Sequence, residues 1–236
     1  MKLEIGYHHD FEVRKETYFS SCKDNFSVLY LSDLHLNQFS KNSIQQIEKT
    51  ITELNPTIVL LGGDYMDSKK GLVYLNVLLA SLSHRQHVFA IAGNHDYFFG
   101  IKEIKSSMEA NNIVWIEQDS VCFKYKNTTI RINGNKVYDE RRTIDFSILV
   151  LHKPLNPVLF QDNYDLAFAG HLHGCQVILW QKDNKLYPGK FVYKWNILKM
   201  KLKTCQYFIS KGLGDTLPIR YNCKKDLLFI EVISTT

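Results

Sequence analysis

The chain has 236 residues, 45% of them hydrophobic and 22% charged, with 14 Phe and 13 Tyr; such a composition supplies a packed core and excludes a chain disordered on compositional grounds. A net charge of +5 suits an anionic substrate or surface without requiring one. No apolar run reaches the roughly 18 residues of a membrane span, residues 1–6 lack the long apolar centre of a secretory signal, and the five cysteines (Cys22, Cys122, Cys175, Cys205, Cys223) form no CxxC pair, which argues against a zinc ribbon or redox dithiol.

Without a span or a secretory signal a cytoplasmic protein is expected, and the cysteines read as small buried thiols in a reducing compartment. Residues 1–23 alternate weakly, as one or two strands with Leu3, Ile5 and Tyr7 on one face. A short apolar strand, 27–31, ends at Ser32-Asp33-Leu34-His35. Ile44, Ile47, Ile51 and Leu54 then make one helical stripe, with a capping-box pattern at Ser43 and Gln46 and a stop at Asn55-Pro56. The continuous apolar run 58–61 predicts a strand covered on both faces, ending at Gly62-Gly63-Asp64. A helix over 72–82 follows, then a buried strand over 88–91 ending at Gly93-Asn94-His95-Asp96, then a helix carrying Ile101, Ile104 and Met108. This alternation predicts parallel βαβ units.

The second half predicts a more antiparallel arrangement. Short strands are expected over 113–116, 121–125 and 128–133. The buried strand 148–151 ends at His152, and the strand 166–169 ends at Gly170-His171-Leu172-His173-Gly174. Strands over 177–180, 207–210 and 227–233 complete the chain. No repeat or linker divides it, so one domain spanning 1–236 is expected.

Polar clusters therefore stand beyond the C-terminal ends of successive apolar strands, the edge where ligands collect in open α/β sheets. They are Asp33 with His35, Asp64, Asn94 with His95, His152, and His171 with His173. Two carboxylates, an amide oxygen and several imidazoles exceed what one cation needs and suffice for two cations bridged by a carboxylate. Asp64, alone after two glycines, is the candidate bridge.

The ordered blocks Asp33-Leu34-His35, Gly63-Asp64, Gly93-Asn94-His95-Asp96, His152 and Gly170-His171-Leu172-His173 resemble the calcineurin-like metallophosphoesterase family. The resemblance implies an α/β fold of two packed mixed sheets flanked by helices, a four-layer sandwich. It implies that Asp33, His35, Asp64 and His173 hold one divalent metal ion, and that Asp64, Asn94, His152 and His171 hold a second. Mn is the first expectation, with Fe, Zn, Co and Ni compatible with the donors. His95 would act at the phosphate as general acid or charge stabiliser, oriented by Asp96. The tail, through Lys211-Gly212-Leu213-Gly214 and Leu217-Pro218-Ile219-Arg220, is similar to a bacterial phosphodiesterase branch that includes UDP-2,3-diacylglucosamine pyrophosphatases. It makes Lys211 and Arg220 candidates for substrate contact. Cys175 and Lys211 depart from the family, which often has Gly and Arg there.

The expected activity is hydrolysis of a phosphodiester or pyrophosphate by a metal-activated water. Two rivals stay open: a non-catalytic metal-holding binding module, and a nuclease. Asp67 reads either as a support for Asp64 or as a surface turn residue. His8, His9, His84 and His87 fit no block and read as solvated or structural. Tyr97-Phe98-Phe99 reads as an apolar wall of the cleft or as core. Segment 182–203 holds seven lysines among aromatic residues; it reads as a solvated basic face, a peripheral contact with anionic membrane, or a single-strand nucleic-acid site. Nothing in the sequence indicates the oligomeric state.

Overall fold

A computed structural model describes residues 2–6, 9–138 and 144–236; Tyr7 and His8 lie outside the described residues. Strands β1 (Leu3–Ile5), β2 (Phe11–Ser20) and β3 (Phe26–Leu31) come first. Helix α1 (Lys41–Leu54), β4 (Ile58–Leu61), α2 (Lys69–Leu82) and β5 (Val88–Ala90) alternate after them. Helices α3 (Asn94–Phe99) and α4 (Ile101–Ala110) lead to β6 (Val114–Trp115), β7 (Ser120–Tyr125), β8 (Thr128–Gly134), β9 (Phe146–Val150) and β10 (Leu166–Ala169). The remainder is β11 (Ile178–Lys182), β12 (Lys185–Pro188), the one-turn α5 (Gly189–Val192), β13 (Lys199–Lys201), β14 (Gln206–Ile209), β15 (Ile219–Tyr221) and β16 (Lys225–Ser234).

Two six-stranded mixed sheets face each other, ordered β2-β16-β3-β4-β5-β6 and β13-β14-β10-β9-β8-β7. Because strand side chains alternate between faces, each buried strand serves two cores. Val28, Tyr30, Ile58 and Leu60 meet Ile148, Val150, Phe168 and Phe208 between the sheets. Leu29, Leu31, Val59 and Leu61 face outward and pack on Ile44, Ile47 and Ile51 of α1 and Leu75, Leu78 and Leu82 of α2. On the far side of the second sheet, Leu149, Ala167 and Tyr207 are covered by Phe160, Tyr164 and Ile197. Each fully buried aliphatic side chain contributes on the order of 1.5–3 kcal/mol, so the packed faces hold the strand ends that carry the polar clusters.

Several local expectations change. Helix α1 begins at Lys41 after Ser40, so Ser43 lies inside the first turn rather than at the cap; Ser40 Oγ instead accepts from Asn37 N at 2.9 Å. Helix α2 starts at Lys69, where the Ser68 side chain accepts from Gly71 N at 3.3 Å, earlier than its apolar stripe suggests. Helix α3 has no counterpart in the apolar patterning; it is closed by Gly100 at φ +135°. Leu3 and Ile5 do share a face, but an exposed one, while Glu4 is buried. The second sheet is more parallel than its short segments suggest: β8, β9, β10 and β14 all run parallel to one another. The chain returns each time by a crossover, which local patterning does not record.

Candidate metal centre

The polar clusters converge where the two sheets meet. Asp33 and His35 follow β3, Asp64 follows β4, Asn94 and His95 open α3, His152 follows β9, and His171 and His173 follow β10. Asp33, His35, Asp64, His171 and His173 all take positive φ, between +44° and +71°. A non-glycine residue there costs of order 1–3 kcal/mol, so the surrounding structure must impose it. It does so with backbone bonds across strands: Asp33 N to Gly63 O at 3.0 Å, His35 N to Asp64 O at 3.0 Å and Gly214 N to Asp33 O at 2.6 Å. Two glycines allow the close approach. A Cβ on Gly93 would lie 2.1 Å from Asp64 Oδ1, and one on Gly170 would lie 2.3 Å from Asp33 Oδ2.

Two of the donor triads that result match the predicted ligands, Asp33 with His35 and His173, and Asp64 with His152 and His171, while a third joins His35 to Asp67 and His95; within each, the donor atoms lie within 4.8 Å of one another. Asp64 reaches toward both of the first two: its Oδ2 is 3.2 Å from His152 Nε2 and 3.8 Å from His35 Nε2. Asn94 Oδ1 joins the second triad, 3.1 Å from His152 Nε2.

These residues fit divalent cations, on the chemistry of the ring nitrogens. His35 Nδ1 lies 2.8 Å from Asp67 Oδ1 and His152 Nδ1 lies 2.9 Å from Gly62 O. Both partners can only accept, so both Nδ1 atoms donate, and the lone pair of a neutral ring sits on Nε2. His35 Nε2 then faces His173 Nε2 at 3.1 Å, and His152 Nε2 faces the oxygens of Asn94 and Asp64. Around His152 Nε2 acceptor oxygens converge on an acceptor nitrogen, an arrangement that calls for a proton or a cation between them.

The titration pattern agrees. Burial works against a charged His152, but Asp64 and Asp33 hold it up at about 9. Burial and the neighbouring His152 push His171 down to about 4. Burial, with His35 and Arg220 nearby, takes His173 well below its usual value. Burial raises Asp33; it also opposes the Asp64 anion, yet His152 outweighs it and Asp64 is held low.

His95 stands beside the triads, its ring edge-on to His35 with centroids 4.7 Å apart. Its backbone N donates to Asp64 Oδ1 at 2.8 Å, and its Nδ1 is 3.0 Å from Asp67 Oδ1. The expectation that Asp96 orients this ring is corrected. The carboxylate of Asp96 accepts from Asp64 N, Tyr65 N and Gly93 N at 2.7–2.8 Å; it builds the turn that presents Asp64. Burial raises Asp96 to about 6, although those N–H groups favour its anion. Asp67 takes the orienting position instead, in contact with His35 and His95. Its signal in the sequence is its place three residues after Asp64.

Lys211 and Arg220 are likewise corrected as substrate contacts. Lys211 Nζ binds Glu12 Oε1 at 2.6 Å, and Arg220 is buried against Asp215 at 2.6 Å and the carbonyls of Gly214, Lys211 and Cys223. Both are committed to the wall beneath the centre. Of the cysteines, Cys22, Cys205 and Cys223 are buried as expected, but Cys122 is exposed and Cys175 is half-buried. His87 stacks on Phe123 at 4.3 Å, a structural role, and His9 and His84 are both exposed.

A cleft of about 380 Å³ opens over the centre, lined by Asp64, His95, His171, His173, Cys175 and Tyr193. A second, of about 450 Å³, adjoins Asn94 and His152 and is walled by Tyr97, Leu151 and Leu155. Phe98, in α3 with His95, is 88% exposed rather than core, and Phe191 and Val192 of α5 are 73% and 76% exposed. The basic segment around them includes the β11–β12 hairpin, where Trp180 stacks on Tyr187 at 5.0 Å. No helix among the described residues is long and apolar enough to cross a membrane.

Comparison with known proteins bears on this geometry. The calcineurin-like phosphoesterase family matches residues 26–175. The chain is similar to the uncharacterized metallophosphoesterase YkoQ of Bacillus subtilis (strain 168), 26% identical over 232 residues, covering 89% of this chain and 85% of that protein. It is similar to phosphodiesterase YaeI of Escherichia coli (strain K12), 23% identical over 241 residues, covering 89% and 84%. In fold it is similar to the calcineurin-like phosphoesterase YfkN from Bacillus subtilis, with a TM-score of 0.52 at 13% identity over 80% of this chain and 82% of that one.

Proposed function

The chain belongs to the calcineurin-like phosphoesterase family, a family of metal-dependent phosphoester hydrolases, and on that premise we propose that it cleaves a phosphodiester or pyrophosphate at a dinuclear centre. One observation carries this reading: Asp64 Oδ2 stands between the triads, within 3.2 Å of His152 Nε2 and 3.8 Å of His35 Nε2. Asp33, His35 and His173 hold one divalent cation, Asn94, His152 and His171 hold the other, and Asp64 reaches both. Mn suits the mixed donors, as do Fe, Zn, Co and Ni. When bound, such a pair neutralises the phosphate and acidifies the attacking water.

The chain's own part is orientation and proton delivery. Asp67 holds the proton on His95 Nδ1, so Nε2 is the nitrogen that serves the leaving oxygen. Asp96 holds the turn that aims Asp64. A single domain is part of this proposal, supported by β2 and β16, from opposite ends of the chain, lying side by side in the first sheet.

The substrate is an amphiphilic phosphate ester, such as UDP-2,3-diacylglucosamine, met at the surface of an anionic membrane by a cytoplasmic enzyme. Support comes from the exposed Phe98, Phe191 and Val192 near the cleft and from the lysines of the neighbouring hairpin; apolar groups edged by cations suit such a surface.

The test is purified protein with its metals quantified, assayed against UDP-2,3-diacylglucosamine, paired soluble mono- and diesters, and oligonucleotides. Two ions per chain and faster diester or pyrophosphate cleavage are expected. One ion or none, with no turnover on any ester, overturns the proposal.

A further inference from the structure

The second triad is assembled across the seam between sheets: Asp64 and Asn94 come from the first, His152 and His171 from the second. One side-chain amide closes that seam. Asn135, just past β8, takes φ +44°. Its Nδ2 donates to Ala92 O at 3.0 Å and to Glu117 Oε1 at 3.0 Å. Its Oδ1 accepts from His152 N at 2.7 Å, and its backbone N donates to Val150 O at 2.8 Å. Glu117 completes the grip, with Oε2 accepting from Ala92 N at 2.6 Å.

Both backbone groups of Ala92, two residues before Asn94, are therefore held by the pair that holds the backbone of His152. The strand ends are pressed together at the same point: a Cβ added to Gly134 would lie 2.2 Å from Ile116 O. An amide is suited to this place because it must donate toward a carboxylate and a carbonyl while accepting from an N–H. An aspartate could not donate, and its charge would face Glu117. The sequence offers no signal for either residue, since Glu117 and Asn135 fit no ligand block.

We propose that Glu117 and Asn135 are positioning residues that set the distance between Asn94 and His152, and through it the affinity of the second cation site. The inference rests on the dinuclear reading above. The plainer role, a turn residue and its carboxylate partner, affects the fold and both sites alike; the positioning role acts on one cation.

The experiment uses the full chain, stripped with chelator and titrated with Mn²⁺ by calorimetry, with stoichiometry read by elemental analysis after dialysis. Wild type, Asn135→Ala, Asn135→Asp and Glu117→Ala are compared, and the melting of each metal-free form is recorded, so that a variant that does not fold is recognised and the other two carry the test. Expected are two ions for wild type. In the variants one ion keeps its affinity and the other weakens by about 10–100-fold, the usual effect of removing a support for a ligand. Excess Mn²⁺ should restore kcat on a soluble diester. Unchanged binding of both ions, or equal weakening of both, overturns the clamp while leaving the dinuclear centre in place. Fewer than two ions in wild type removes the dinuclear reading, and the clamp with it.

Discussion

Asp67 Oδ1 lies 3.0 Å from His95 Nδ1, and the same oxygen lies 2.8 Å from His35 Nδ1. One carboxylate thus fixes the tautomer of a candidate cation ligand and of the candidate proton donor together. Asp67→Asn keeps the shape but adds an amide that can turn an N–H toward rings that themselves donate. A fall in kcat of about 10–100-fold is expected, with KM for a soluble diester little changed. His95→Ala should lower kcat by about 10²–10⁴-fold while the bound metal stays at the wild-type count. Steady-state kinetics beside elemental analysis checks both; full activity in either variant contradicts the role of that residue.

Gly93→Ala tests the geometry of Asp64 without touching a donor. The new methyl would collide with Asp64 Oδ1 at 2.1 Å and with Asp64 N at 2.4 Å. Because Asp64 serves both triads, loss of metal and turnover should exceed the loss of stability. Metal content and the urea midpoint, measured on the same preparation, separate the two; an active, metal-replete variant would show that the turn has room to spare.

Phe191 and Val192 stand exposed on α5 near the cleft. Each would gain up to about 1.5–3 kcal/mol on full burial, so the double change Phe191→Ser, Val192→Ser should weaken binding to vesicles containing anionic lipid by at least about tenfold. Hydrolysis of a short soluble diester should not change. Equal vesicle binding by both proteins in a sedimentation assay would remove the membrane contact from the proposal.

Asp165 supplies a pH test of stability away from the centre. Burial raises its carboxyl to about 6, and its Oδ2 accepts from Ser147 N at 2.8 Å. The folded protein therefore holds this proton more tightly than the unfolded chain, whose Asp titrates near 3.8. The contribution is fully favourable below about pH 4 and is lost as pH rises through about 6. Asp165→Asn should flatten the stability slope across that window, as read from urea midpoints at successive pH values. An unchanged slope would show that Asp165 is ionised in the folded state.

The sequence by itself carried the ligand types and their addresses. Apolar runs of four or five residues ending in Asp, Asn or His mark strand ends, because strand alternation and turn chemistry act over a few residues. That was enough to gather Asp33, His35, Asp64, Asn94, His152, His171 and His173, and the order of those blocks carried the family resemblance that implied two packed sheets. It also made helices α1 and α2 legible, apart from their first turns, where a serine before the helix rather than the apolar stripe marks the start.

Tertiary structure alone decided who meets whom. It turned Asp96 toward the backbone of Asp64 and gave His95 to Asp67. It buried Lys211 and Arg220 beneath the centre and brought Asn135 against His152 and Ala92. The contacts of Asn135 with His152 and of Lys211 with Glu12 join residues 17 and 199 positions apart; the first depends on the register of β8 against β9 and the second on the approach of the two sheets. A carboxylate near a histidine in sequence can choose several partners; only the packing of β4, β5, β8 and β9 leaves each of them its own.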